Sequence, residues 1–331
     1  MSSMRRRLDA LLFAVSLPFL WLLSVCPSPR LCRIGRWIGA AAYHLDRRHR
    51  QICLENLAIA FPQWPLEQRR AVARRCFQNV ATTFLEIPGL GRLPFDQLVA
   101  RVGSVTGREH YERALTRNKG VLILTGHFGN WELMALCTGI AGYRLAFVAR
   151  ALDNPYFDQW LNRIRHRSGN RIIPKRGALR QILRSLRQGY GVGLLMDQRV
   201  TGNEGVFVDF FGHQAGSSAA LALLACRSGA PVLPVYMLRD PSGVGHQLHI
   251  EPEVPVVRTG RNDLDILENT QRLQKVLERV VREHPDQWFW MHRRWKGSPT
   301  VSYSGAASRK KKKKSKQPQP GPIRPGLGAR P

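Results

Sequence analysis

Gly120-Val-Leu-Ile-Leu-Thr-Gly126, followed at once by His127-Phe-Gly-Asn-Trp-Glu132 and Leu133-Met-Ala-Leu136, is the stretch whose reading decides the fold. Five apolar or β-branched residues between glycines read as a short strand buried on both faces, and the run from Leu133 reads as a helix. His127 and Glu132 therefore sit at a strand-to-helix turn. In an unbroken α-helix, residues five apart diverge by roughly 140° about the axis, so these side chains would not face each other. Gly129, between them, can take backbone angles that other residues avoid. His127 is then expected to lie before the first helical turn with its ring folded back over Glu132. A carboxylate on one ring nitrogen fixes the tautomer and leaves the other to take a proton from a hydroxyl. A His–Glu pair at a helix start is also a common polar cap. Placement at the carboxyl end of a strand, where open α/β sheets bind ligands, favours the chemical reading.

Outward from this stretch the pattern alternates. Strands are expected at 121–125, 143–148, 171–173, 192–196, 231–238 and 246–250. Helices are expected at 131–140, 154–168, 177–188 and 217–229, with a last helix from Asp265 to Glu283. Such alternation predicts an α/β fold with a mixed, mainly parallel sheet flanked by helices. Residues 46 to 118 read as helical, with amphipathic segments at Leu66–Phe84 and Arg108–Arg117 that cover the sheet. Gly189-Tyr-Gly-Val-Gly193 leads into a strand without the preceding strand and following helix of a dinucleotide site, and reads as a turn.

Ala10 to Cys26 is a run of 17 residues without a charge, flanked by Arg5-Arg6-Arg7 before it and Pro27 and Pro29 after it. That is close to the lower limit for a helix spanning a bilayer, and Pro18 would kink it. No Ala-x-Ala-like cleavage site follows, which disfavours a signal peptide. Six arginines between Arg30 and Arg50 outnumber those before the run, so a spanning helix would leave everything after it in the cytoplasm. A helix lying in the interface would give the same side, with the arginines on anionic headgroups. The expected division is an anchoring segment over 1–45, a catalytic domain over 46–297 and a disordered basic tail over 298–331.

The net charge is +28, and nine of those charges fall in the last 23 residues, leaving the first 308 at +19. The body is therefore basic in its own right, which implies an anionic partner: nucleic acid, anionic lipid or an acidic protein. The run Arg309-Lys-Lys-Lys-Lys-Lys314 fits a nucleic-acid patch or a membrane-facing polybasic tail. Six cysteines without a Cys-x-x-Cys pair read as free thiols in a reducing compartment. Cys137 is a nucleophile candidate by position and an ordinary buried residue by composition.

Four further stretches stand out. They are Asn56-Leu-Ala-Ile-Ala-Phe-Pro62; Leu195-Met-Asp-Gln198; Val206-Phe-Val-Asp-Phe-Phe-Gly212 with Ser217-Ser218; and His284-Pro-Asp-Gln-Trp-Phe-Trp-Met-His-Arg-Arg-Trp295. Together with the His-x4-Glu block, and in this order, they resemble the late acyltransferases of lipid A biosynthesis, the lauroyl/myristoyl transferase family. That family is related to the glycerophosphate acyltransferases with a His-x4-Asp block. The resemblance covers roughly residues 5 to 297.

The resemblance implies acyl transfer from an acyl carrier protein thioester to a hydroxyl of a Kdo-bearing, tetra-acylated or penta-acylated lipid A precursor at the inner membrane. His127 would be the base and Glu132 its orienting acid, with no metal, cofactor or covalent enzyme intermediate required. Asp197 ends an apolar strand on the same rim as His127. The resemblance implies that it is the charge partner of a substrate-binding arginine, against a plain loop-capping role. Arg150, Arg176 and Arg293 would suit the precursor's phosphates, since guanidinium forks match phosphate oxygens. Trp288, Trp290 and Trp295 read either as an interfacial cluster or as the packed end of the core, and Phe207, Phe210 and Phe211 as an acyl channel or core. The Lys-rich tail departs from the family pattern. Anionic membrane lipids are expected partners and specific nucleic acid is not, because no nucleic-acid module is recognisable. The remaining alternatives are another acceptor, such as an ornithine lipid or glycolipid, a basic nucleic-acid binder, and a silent lipid-binding scaffold.

Overall fold

The computed structural model describes residues 3–200 and 205–303. The Lys-rich run, and most of the stretch expected to be a disordered tail, lie outside the described residues. In chain order the elements are α1 (Ser3–Val25), α2 (Ser28–Leu45), α3 (Arg47–Ala60), α4 (Leu66–Arg92), α5 (Phe95–Val99), β1 (Val102–Thr106) and α6 (Arg108–Leu115). Then come β2 (Val121–Thr125), α7 (Trp131–Ile140), β3 (Leu145–Ala149), α8 (Pro155–His166), β4 (Arg171–Pro174), α9 (Ala178–Arg187) and β5 (Gly191–Leu195). The hairpin β6 (Gly205–Phe210) and β7 (His213–Ser218) is followed by α10 (Ala220–Ser228), β8 (Val232–Arg239), β9 (His246–Ile250) and α11 (Asn262–Glu283).

Seven strands form one sheet in the order β1-β9-β8-β2-β5-β3-β4, parallel except for the antiparallel β8–β9 pair. β2 lies in the middle of it, which is why all five of its residues are buried. Alternation then sorts side chains between two cores. Leu122, Leu124, Val192, Leu194 and Met196 face α9, α10 and α11, whereas Val121, Ile123, Leu145 and Val235 face α7 and α8. Each such fully buried aliphatic chain contributes about 1.5–3 kcal/mol.

α1 is long and apolar enough to cross a membrane. At about 1.5 Å per residue its 23 residues span roughly 35 Å, against a hydrocarbon layer of about 30 Å. Leu11, Leu12, Val15, Phe19, Trp21 and Leu22 are exposed along it, while Phe13 packs on Tyr156 and Phe157 of α8.

Two local expectations are corrected, and one left open between two readings is decided. The region read as wholly helical contains β1, an edge strand that pairs with β9. The helix expected from 217 begins at Ala220, because Ser217 and Ser218 pair with Val206 and Gly205 across the β6–β7 hairpin. Its two-residue turn, Phe211-Gly212, has positive φ at both residues, a backbone that matches the twist of the flanking strands. Trp288, Trp290 and Trp295 are at most 1 % exposed, so the tryptophan cluster is core and not interface.

Candidate active site

β2 and β5 are parallel neighbours, with Thr125 opposite Leu195. Two residues past each lie His127 and Asp197, so the strand order itself brings these side chains together. The Asp197 carboxylate is fully buried and accepts three kinds of donor. Oδ1 lies 2.9 Å from His127 Nδ1, and Oδ2 accepts the His127 backbone N–H at 2.8 Å and the Trp288 indole N–H at 2.9 Å. With the Asp197 charge satisfied in this way, Nδ1 of His127 carries the hydrogen and Nε2 is left as the acceptor nitrogen of the ring.

The expected partnership of His127 with Glu132 is therefore replaced by one with Asp197. The Glu132 carboxylate is held by Arg165 of α8 instead, at 2.9 Å from Nε and 2.5 Å from Nη2. Asp197, expected to pair with a substrate-binding arginine, orients the imidazole. Gly129 does take a left-handed conformation, φ +48°, and a Cβ there would lie 2.4 Å from the Met237 carbonyl oxygen. Its effect is to send the chain into α7 rather than to fold the ring over Glu132. Asn130 caps α7 by accepting the Leu133 N–H, and it donates to buried Glu86, which also pairs with Arg239. The N–H of Gly129 is taken by the Gln287 carbonyl.

Burial on its own would lower the pKa of His127, but the Asp197 charge and hydrogen bond, with a further contribution from Glu132, hold it above its ordinary value. Burial likewise works to raise Asp197, and the facing His127 overrides it and keeps the carboxyl far below the usual carboxylate range. His292, beneath this pair, is pushed down to about 4, chiefly by burial, and stays neutral. Cys137 is buried in the core beside Leu98, and burial pushes its thiol up to about 12, which removes it as a nucleophile.

His127 opens on a cavity of about 310 Å3 between α7 and the sheet. Its walls are Ile123, Ala135, Thr138, Leu145, Phe147 and Gly193, and its mouth carries His127, Trp131, Glu132, Arg150, Arg165 and Gln198. The Trp131 ring stands edge-on to the imidazole, 5.1 Å between centroids. Arg165 Nη1 makes no hydrogen bond among the described residues, and the buried Thr125 hydroxyl also lacks a partner.

Of the four residues expected to bind substrate, only Arg150 lines this cavity. It lies at the mouth, 2.6 Å from Asp153, with both side chains more than 70 % exposed. Arg176 is exposed on the turn before α9, and Arg293 packs over the Tyr303 ring at 5.5 Å; neither lines this cavity. Phe210 and Phe211 belong to the core, and Phe207 is half-exposed on the hairpin. Arg165 and Trp288 are the residues that the sequence did not expose. Arg165 looks like one more cation in a basic helix, and Trp288 like packing.

An imidazole backed by a buried carboxylate, at the mouth of an apolar cavity with a guanidinium beside it, is an arrangement suited to group transfer onto a hydroxyl next to an apolar chain. Residues 2–297 match the family model described as bacterial lipid A biosynthesis acyltransferase. The lipid A biosynthesis lauroyltransferase of Escherichia coli K12 is 30 % identical over 85 % of this chain and 90 % of its own. The palmitoleoyltransferase of the same strain is 30 % identical over 85 % and 89 %, and the myristoyltransferase 26 % over 80 % and 79 %. The chain belongs to the bacterial lipid A biosynthesis acyltransferase family, and it is an acyltransferase.

Proposed function

We propose that the protein moves a fatty acyl chain from an acyl carrier protein thioester to a hydroxyl of a Kdo-bearing lipid A precursor on the cytoplasmic face of the inner membrane. The observation that carries this is the His127–Asp197 pair at the mouth of the 310 Å3 apolar cavity. The acyl chain lies in the cavity, with the thioester carbonyl at its mouth. Nε2 of His127 takes the proton of the acceptor hydroxyl as its oxygen attacks the carbonyl carbon. Arg165 Nη1, fixed by the two hydrogen bonds from Nε and Nη2 to Glu132, stabilises the negative oxygen of the tetrahedral intermediate. The carbon–sulfur bond then breaks and the imidazolium protonates the departing thiolate, which regenerates neutral His127. Glu132 thus acts through Arg165, and its charge favours the imidazolium. The acceptor's phosphates fall to Arg150 first, with Arg176 on the neighbouring turn.

Residues 1–45 act as the membrane-anchoring segment of the transferase body over 46–297. The excess of arginines after the apolar run supports a cytoplasmic position for that body, against anionic lipid headgroups. Purified protein incubated with acyl-loaded carrier protein and the lipid A precursor should add one chain, read by mass spectrometry of the lipid. Cells lacking the gene should make lipid A lighter by one acyl chain. Unchanged lipid A together with a lighter ornithine lipid or glycolipid would assign the acceptor to that class instead.

A further inference from the structure

A second pocket, of about 590 Å3, lies on the other face of the sheet between α9 and α10. Its walls include Leu179, Ile182, Leu194, Met196, Leu223 and Leu224. The two pockets meet over the carboxyl ends of β3 and β5, where Val148, Arg150, Leu195 and Gln198 line both. The reason is the pleat. Gly193 and Phe147 point into the His127 cavity, Leu194 and Met196 into the second pocket, and the side chains just past the strand ends serve both.

The rim of the second pocket is cationic. Arg150, Lys175 and Arg199 line it, and among the described residues no acidic side chain does. Lys175 and Arg199 make no ion pair among the described residues. The partner of Arg150, Asp153, is so exposed that their pairing is weak, and an incoming anion can replace it. Apolar walls under a cationic rim complement a fatty chain with an anionic head.

Resting on the transferase reading above, we infer that the enzyme holds two fatty chains at once, one on each face of its sheet. The donor's acyl chain fills the His127 cavity, and a chain of the acceptor fills the α9–α10 pocket with its anionic head on the Arg150, Lys175 and Arg199 rim. The assignment follows from where the chemistry sits. Arg165 and Thr125 line the smaller pocket and not the larger, so the carbonyl under attack must enter from that side. The acceptor hydroxyl then reaches His127 across the shared residues Leu195 and Gln198. The larger volume also suits the bulkier, multiply acylated substrate.

The test measures KM for donor and acceptor separately in the full-length protein, with acyl-loaded carrier protein and lipid A precursor as the probes. Leu223→Trp, which fills the second pocket, should raise the acceptor KM by about tenfold or more. It should leave the donor KM and the choice of acyl chain length unchanged. Thr138→Trp in the His127 cavity should do the reverse. With wild-type protein, a precursor carrying a photoreactive diazirine at the end of an acyl chain should label α9 or α10. A rise in donor KM for Leu223→Trp, an unaltered acceptor KM, or labelling on α7 would each overturn the two-chain arrangement. The transferase reading would stand, because wild-type turnover is recorded in the same assay. Wild-type protein that acylates no precursor would overturn that reading and this inference together.

Discussion

Asp197 and His127, 70 residues apart in the chain, are joined at both levels of the loop: the carboxylate holds Nδ1 of the ring at 2.9 Å and the backbone N–H of the same residue at 2.8 Å. One buried charge therefore fixes the rotamer, the tautomer and the backbone of the base at once. A rim carboxylate that only steered substrate would not need to be buried, nor to be bonded by an indole from the far end of the chain.

The pH dependence follows from this pair. Asp197 holds the His127 pKa above its ordinary value, and the ring must be neutral to accept a proton, so activity is lost as pH falls through the raised value. The acid limb of kcat/KM should lie higher than that of an ordinary imidazole. Asp197→Asn removes the charge and leaves burial as the dominant influence, so the limb should move below that of the wild type. The plateau rate should drop by about 10²–10⁴-fold, because the tautomer is no longer imposed. A pH–rate series on both proteins checks it; an acid limb that Asn leaves in place would remove His127 as its source.

His127→Ala should lower turnover by about 10²–10⁴-fold in a protein that still folds, with a lowered melting temperature because buried Asp197 loses its imidazole partner. Glu132→Gln should lower kcat with less effect on acceptor KM, since Arg165 loses its anchor and not its charge. An effect on acceptor KM alone would instead make Glu132 a binding residue.

Gly193 lies on the cavity wall, and a Cβ there would meet the Phe147 Cβ at 3.7 Å, ordinary contact distance. Gly193→Ala can be built without strain and takes space from the acyl chain. The preferred donor should become shorter while the rate with that shorter donor stays close to wild type. Competition between carrier proteins loaded with a series of chain lengths reads this directly.

Glu86 joins the helical cover to the catalytic turn, accepting from Asn130 at 2.8 Å and from Arg239 at 2.8 Å on both oxygens. Removing one partner of a buried pair leaves an uncompensated charge, at a cost of about 3–5 kcal/mol. Glu86→Ala should therefore lower unfolding stability by that amount, measured by denaturant titration in detergent. It should also slow transfer, through the lost support of the Asn130 cap.

Much of the site was legible from local pattern. The strand 121–125 and the helix 131–140 stand where spacing placed them, and His127 and Asp197 both end strands on one rim. Which carboxylate faces the imidazole was not legible. Spacing put Glu132 nearest in the chain, whereas the structure puts Asp197 nearest in space, because β5 and not β3 runs beside β2. The β6–β7 hairpin was missed for the same kind of reason, its polar and glycine residues gaining strand structure from pairing and not from propensity.

What the sequence determined by itself was whatever depends on neighbours in the chain: the apolar α1, the alternation of strand and helix, the glycine turn after β2, and the residue types of an acyltransferase. What only the tertiary structure decided was which distant groups meet. Asp197 and Trp288 reach His127, Arg165 takes Glu132, and the tryptophans go inside. Strand order and helix packing are set by the summed burial of whole faces, and no local stretch carries that sum.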